Sequence, residues 1–246
     1  MKTILLKFAG PLQSWGTDSN FETRYTDLHP SKSAVIGMIA ASMGYRRHED
    51  TKIQRLNELD FAVRIDYQGQ IIKDYHIAQK HKKNGEFERT YVTERYYIED
   101  GVFVVAIGHE QEDFINGIAE SLKNPYFQTF LGRRSLPLTA DFFIEEMKLD
   151  VIAALKKTPW QGQPWMTSKI QANQSCYVYA DGDLISGKVA NMRRDKVKSF
   201  DQKHRQFGFR SEKSECIILE NPYFEQDEQE HDIFSVVGGQ NVSIES

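Results

Sequence analysis

The sequence predicts an α+β fold: a ferredoxin-like sheet with one inserted β-hairpin, followed by a β-rich C-terminal part. Three observations lead there. The apolar patterns run strand, helix, strand, hairpin, strand, helix, which is an α+β order and not a regular βαβ alternation. Asn84-Gly85 sits between two long strand-like flanks, a strong hairpin-turn signal. Beyond residue 156 the patterns shorten to strands around a basic segment.

Taken in order, residues 3–8 (TILLKF) read as a buried strand, stopped by Gly10-Pro11. A polar, aromatic loop runs through Leu28. Pro30-Ser31-Lys32-Ser33 then opens a helix, AVIGMIAASMG. It is small or apolar at nearly every position, so it should be buried on most sides and pack closely through Gly37 and Ala40, with Gly44 as its C-cap. Residues 51–58 predict a short second helix and 61–67 a strand. IIKDYHIAQ and RTYVTERYYI flank HKKNGEFE, giving a long hairpin with a basic tip at Lys80, His81, Lys82 and Lys83. VFVVAIG is a core strand, and a helix covers about residues 111–123. PYFQTFLGRRSLPL is an irregular loop punctuated by Pro125, Gly132 and Pro137. Strands and one short helix follow to residue 156, then the loop TPWQGQPW and the strands CYVYA and ECIILE. The expected organisation is a body over residues 1–150 with the hairpin inserted at about 73–99. A β-rich part over 151–246 packs on it and ends in an acidic tail from about residue 220. The nucleic-acid-binding version of a ferredoxin-like sheet is RRM-like, although the ordinary RRM aromatic signature is not evident here, so the fold alone does not give function.

The net charge of −4 argues at first against a polyanionic partner, but its distribution reverses that. Residues 188–213 hold nine cations against three acids, a net of +6, whereas residues 220–246 hold seven acids and no Lys or Arg. Local patches, not the whole-chain average, set phosphate affinity. No apolar run approaches membrane-span length, and the amino terminus reads as a first strand rather than a signal peptide. Cys176 and Cys216 lack metal-type spacing, so both are expected as free, reduced thiols, small residues of the core, in a cytoplasmic protein.

Five groups of residues could carry chemistry. Ser31, Lys32 and Ser33 at a helix start could seat a phosphate on unpaired amides, or Ser31 could simply cap the helix. In GPLQSWG, Gln13 could read a base edge and Trp15 could stack a base; the alternative is a turn with a half-buried tryptophan. Arg133, Arg134 and Ser135 place two guanidiniums on a loop, suited to bidentate phosphate contact or to an ion pair with a core carboxylate. KVKSFDQKHRQFGFR interleaves cations, among them Lys203, Arg205 and Arg210, with Phe200, Phe207 and Phe209. That suits single-stranded RNA, or a solvated basic strand. The hairpin supplies Tyr75, His76, Lys80, Lys82 and Lys83, and Arg24 joins the candidates from the polar loop. No zinc, nucleophile-elbow or paired-carboxylate pattern stands out. His76 and Lys80, four apart on a strand, lie about 13 Å apart by the strand rise, too far for a joint acid/base site without bending.

Four segments occurring in one order resemble the Cas-five family, specifically its members in type I-E Cascade complexes: LKFAGPLQSWG, HPSKSAVIGMIAASMGY, KDYH and YFQTFLGRRSLPLT. GRRSLPLT is the most specific. The resemblance covers roughly the first 140 residues; the last hundred match loosely, and the acidic tail has no counterpart. It implies an RRM-like body with the hairpin as a protruding thumb. It also implies a non-catalytic subunit that grips the five-prime handle of a CRISPR guide RNA, beside the terminal backbone subunit and the large subunit. It implies no cofactor, metal, membrane or small-molecule substrate. In type I-C relatives the corresponding subunit cuts precursor RNA without metal, so an endoribonuclease is the alternative.

Overall fold

The computed structural model describes residues 1–16, 20, 22–166 and 171–224. The protein is a mixed α+β structure dominated by antiparallel sheet. The first strand, β1 (Lys2–Ala9), leads through two short strands, β2 (Leu12–Gln13) and β3 (Thr23–Arg24), to the helices α1 (Lys32–Ser42) and α2 (Asp50–Arg55). Strand β4 (Asp60–Tyr67) precedes the hairpin β5 (Gln70–His81) and β6 (Phe87–Glu99), and β7 (Val102–His109) returns to the core. Helix α3 (Glu112–Lys123), β8 (Phe143–Met147), α4 (Val151–Lys157) and the strands β9 (Asn173–Asp181), β10 (Asn191–Ser199) and β11 (Gln206–Glu220) complete the described chain.

The main sheet has seven strands in the order β10-β11-β9-β4-β7-β1-β8, every neighbouring pair antiparallel. Strand β1 shows why the sheet is central. Ile4, Leu6 and Phe8 join the cluster under α1 and α3, while Leu5 joins the cluster under α4 on the opposite face. A strand buried on both faces needs a nearly unbroken apolar run, which is what TILLKF supplies. Helix α1 ends where expected: Gly44 has φ +76° and its N–H donates to the Ala41 carbonyl, a left-handed cap that glycine adopts without strain.

Helix α4 is fastened through a charged pair hidden in the core. Arg64 and Asp66 on β4 have side chains with no exposure, and Arg64 donates from Nε to Asp66 at 2.6 Å. Its Nη atoms reach the carbonyls of Leu155, Thr158 and Pro159 at the end of α4. Burial raises the Asp66 pKa against the opposing effect of Arg64. Removing one partner of such a pair typically costs about 3–5 kcal/mol.

The C-terminal strands extend the same sheet, because β9 pairs with β4. Strand β10 lies in the basic segment, which the sequence offers either as a surface for single-stranded RNA or as a solvated basic strand. Its inward residues Asp195, Val197 and Ser199 include only one apolar side chain, which hides the strand from a hydrophobic pattern. Among the thiols, Cys176 is buried, and burial pushes its pKa to about 12. Cys216 is exposed, contrary to the expectation of two core cysteines, because it stands opposite exposed Tyr177 on the other face of β11. Of the acidic tail, residues 225–246 lie outside the described residues.

Candidate nucleic-acid interface

A second, four-stranded sheet brings several of the candidate residues together. Strand β6 is its spine: β5 pairs with it along the hairpin, β2 pairs antiparallel near its end, and β3 pairs parallel. In the parallel pairing Arg24 stands opposite Arg95. Partners in register project to the same face of a sheet, so two guanidiniums leave neighbouring strands side by side. Arg133 joins them from the loop after α3. Its Nη2 donates to the carbonyls of Arg24 and Tyr96, both at 3.2 Å, and its guanidinium carbon lies 4.2 Å from the Tyr97 ring centroid.

Glycine sets the position of Arg133. Gly132 has φ +86°, and a methyl group there would stand 1.7 Å from the Ser14 carbonyl oxygen. The loop is therefore pressed onto the segment after β2, and the Ser14 N–H donates to the Leu131 carbonyl at 3.2 Å. Within the cluster, Arg133 Nη1 and Arg95 Nε are buried without a hydrogen-bond partner. Burial, and then the charges of Arg95 and Arg24, lower the Arg133 pKa from its ordinary value; arginine nevertheless stays cationic at neutral pH. Asp74 is the β5 partner of Arg95, yet among the described residues no carboxylate comes within 4.0 Å of the three guanidiniums. Three uncompensated cations with orphaned donors form a place for an anionic group.

The hairpin continues this arrangement with two unlike faces. Register places His76, Lys80, Tyr91 and Arg89 on the side of Arg95. The opposite side carries Ile71, Tyr75, Ile77 and Val92, all exposed. At the tip, Lys80 pairs with Glu88 and Lys82 with Glu86, while Lys83 is exposed. Exposed pairs of this kind are worth little and can exchange for another anion.

The family model for the CRISPR-associated protein Cas5 matches residues 3–212. The chain belongs to the Cas5 family. Among curated proteins it is similar to the CRISPR system Cascade subunit CasD of Escherichia coli K12, 30% identical over 155 residues, which covers 57% of this chain and 69% of that protein. Among solved structures it is similar to a chain of a CRISPR RNA-guided surveillance complex, with a TM-score of 0.74 and 29% identity over 89% of this chain and 91% of the other. A crystal structure of a Cas protein gives a TM-score of 0.63 at 25% identity, over 89% and 99% of the two chains.

Several residues that the sequence nominated do other work in this Cas5 chain. Gln13 and Trp15 are buried, so neither offers an edge or a ring to a base. Gln13 donates to the Gly101 carbonyl at 2.5 Å, and Trp15 donates to the Gln13 side chain and stacks on Phe8. The predicted phosphate seat at α1 is filled by the protein itself. Asp195 of β10 accepts the Lys32 N–H at 3.0 Å, and Ser31 caps Ala34. Lys32 turns inward to Asp181 and the carbonyls of Asn57 and Leu59, and Ser33 meets the Ser31 hydroxyl. Arg210 is likewise buried, held by Asp195, Asp181 and Glu212.

The remaining candidates are accessible but not all together. Tyr75 and His76 are exposed on opposite faces of β5. Arg134 and Ser135 are exposed on the loop without joining the cluster, and Lys203 and Arg205 are exposed between β10 and β11. Arg95 was absent from the sequence-derived set. Its signal was the alternation in TYVTERYYI, which sets Arg95 on the face away from Glu94; nothing local could show that Arg24 would pair beside it.

Among the described residues no group of three or more His, Cys, Asp or Glu side chains could hold a metal, and no helix is long and apolar enough to cross a membrane.

Proposed function

We propose that this chain is a non-catalytic subunit of a type I-E Cascade surveillance complex, and that it grips the five-prime handle of the guide RNA. The observation that carries this reading is the convergence of Arg24, Arg95 and Arg133 at the root of the hairpin, with two buried guanidinium nitrogens unpartnered. Phosphate oxygens accept from such donors in pairs. The names of its relatives, a Cascade subunit and a chain of an RNA-guided surveillance complex, favour guide RNA as the anion's source.

The strand order β4-β7-β1-β8, with α1 and α3 packed on one face, supports an RRM-like body over residues 1–150 with the β-rich part over 151–246 appended to it. The hairpin is the thumb. Its basic face, with His76, Lys80 and Arg89, runs on from the arginine cluster and tracks the RNA backbone. Its apolar face, with Tyr75 and Ile77, meets the neighbouring backbone subunit, and the large subunit lies against the body. The place of action is the cytoplasm.

Binding and chemistry separate in one assay. The isolated chain, incubated with repeat RNA in EDTA, should bind the RNA and leave it intact. Specific cleavage at one repeat position, abolished by His76→Ala, would instead establish the endoribonuclease activity of the type I-C relatives.

A further inference from the structure

We infer that the groove between α2 and the β10–β11 hairpin is a second binding site, for a single strand of nucleic acid other than the guide's handle. The groove is an open cavity of about 1160 Å³ whose walls include His48, Gln54, Lys196, Lys198, Phe207 and Phe209. It exceeds the roughly 300–1,000 Å³ of small-molecule pockets. It shares no residue with the arginine cluster.

The charge of this site comes from an inward sorting of carboxylates. Of the three acids in residues 188–213, two point into the protein. Asp195 binds Arg210 and the Lys32 N–H, and Glu212 binds Arg193 and Arg210. The third, Asp201, accepts the Lys203 N–H at 2.7 Å. Asp195 and Glu212 thus neutralise buried partners, while Arg194, Lys196, Lys198, Lys203 and Arg205 remain exposed, and no carboxylate among the described residues lies within 4.0 Å of their charged nitrogens. Asp50 at the start of α2, Glu58 just after that helix and Asp201 after β10 also line the groove and oppose this excess in part.

Two features select a single strand over a duplex or a protein. Lys196 and Lys198 recur at the two-residue repeat of β10, about 6.6 Å by the strand rise, comparable to the step between phosphates of an extended strand. Aromatic rings stand beside them: Phe209 is 60% exposed, and Arg205 lies over the Phe207 ring, 5.3 Å from its centroid. Cations that track a backbone beside rings that stack on bases are the features of sequence-tolerant single-strand grooves. A duplex offers no base faces to Phe209.

The test uses the full chain carrying Arg24→Ala and Arg95→Ala, which removes two of the three guanidiniums of the handle site, with fluorescent dT30, U30 and a 30-base-pair duplex as probes. On that background dT30 or U30 should bind saturably. Adding Lys196→Ser, Lys198→Ser and Arg205→Ser, all exposed, should lower the slope of log K against log salt by about 2, or roughly 0.7 per cation. Phe209→Ser should weaken binding about tenfold. Unchanged thermal unfolding of these variants shows that the fold is intact. Stronger binding of dT30 would name DNA as the natural strand and stronger binding of U30 would name RNA; either supports the site. The inference is overturned if the groove changes leave single-strand affinity and slope untouched, or if the duplex binds as well as the single strands. The groove changes on the otherwise unaltered chain should leave repeat-RNA binding in place, so a failure here is distinct from a failure of the handle site.

Discussion

Arg24 and Arg95 stand opposite each other across the parallel pairing of β3 with β6, two like charges in register on neighbouring strands. Such a pairing works against the folded state by a few tenths to about 1 kcal/mol. It persists beside Arg133 without a carboxylate within ion-pair distance among the described residues. Arg95→Gln should therefore raise the stability of the isolated chain by about 0.5 kcal/mol, measured by urea unfolding, while weakening its hold on RNA. A loss of more than 1 kcal/mol would mean that Arg95 is held by a partner rather than waiting for one.

Lys32 should behave in the opposite way. Its ammonium is buried against Asp181 at 2.8 Å and two carbonyls. Lys32→Ala should destabilise the chain by about 3–5 kcal/mol and leave the salt slope of RNA binding unchanged in whatever fraction folds. A normal unfolding midpoint combined with a reduced slope would return Lys32 to the phosphate-binding set.

His29 makes stability depend on pH. It is buried between Arg193, whose Nη1 lies 2.7 Å from Nε2, and the Tyr179 ring. Burial first, and then the Arg193 charge, lower its pKa from 6.5 to about 3. Above pH 6.5 the imidazole is neutral in both states and contributes no slope. Between 6.5 and 3 the unfolded chain takes up a proton that the folded chain refuses, so stability falls as pH falls, by at most about 1.4 kcal/mol per pH unit. His29→Gln should flatten the stability profile relative to the parent in that window. Parallel profiles would show that His29 titrates normally.

The hairpin tip should be separable from the fold. Residues 80–88 are exposed, and an isolated two-stranded ribbon is marginal in water. Their amides should exchange rapidly in the free chain and slowly in the assembled complex. Replacing residues 80–88 by an Asn-Gly turn should change monomer stability little, yet reduce recovery of guide-containing complex. Full recovery would make the hairpin a surface excursion.

What the sequence revealed follows from how local each signal was. TILLKF, VFVVAIG and the apolar helix before Gly44 declare burial through their own composition, and Asn84-Gly85 declares its turn. The phosphate seat at Ser31 to Ser33 was misread because its anion, Asp195, comes from a residue 163 positions away from Lys32. Trp15 and Gln13 looked like base-reading residues because their partners, Phe8 and the Gly101 carbonyl, emerge only once the strands assemble. Arg133 was legible from GRRS, but its meeting with Arg24 and Arg95 depends on the parallel β3–β6 pairing, which two short segments do not announce.

The most direct measurement of the central claim is the salt dependence of repeat-RNA affinity for the chain carrying Arg24→Ala and Arg95→Ala together. If these guanidiniums hold handle phosphates, affinity falls and the slope of log K against log salt drops by about 1.4, or 0.7 for each cation removed. A folded double variant that binds repeat RNA with the parent's affinity and slope would contradict it.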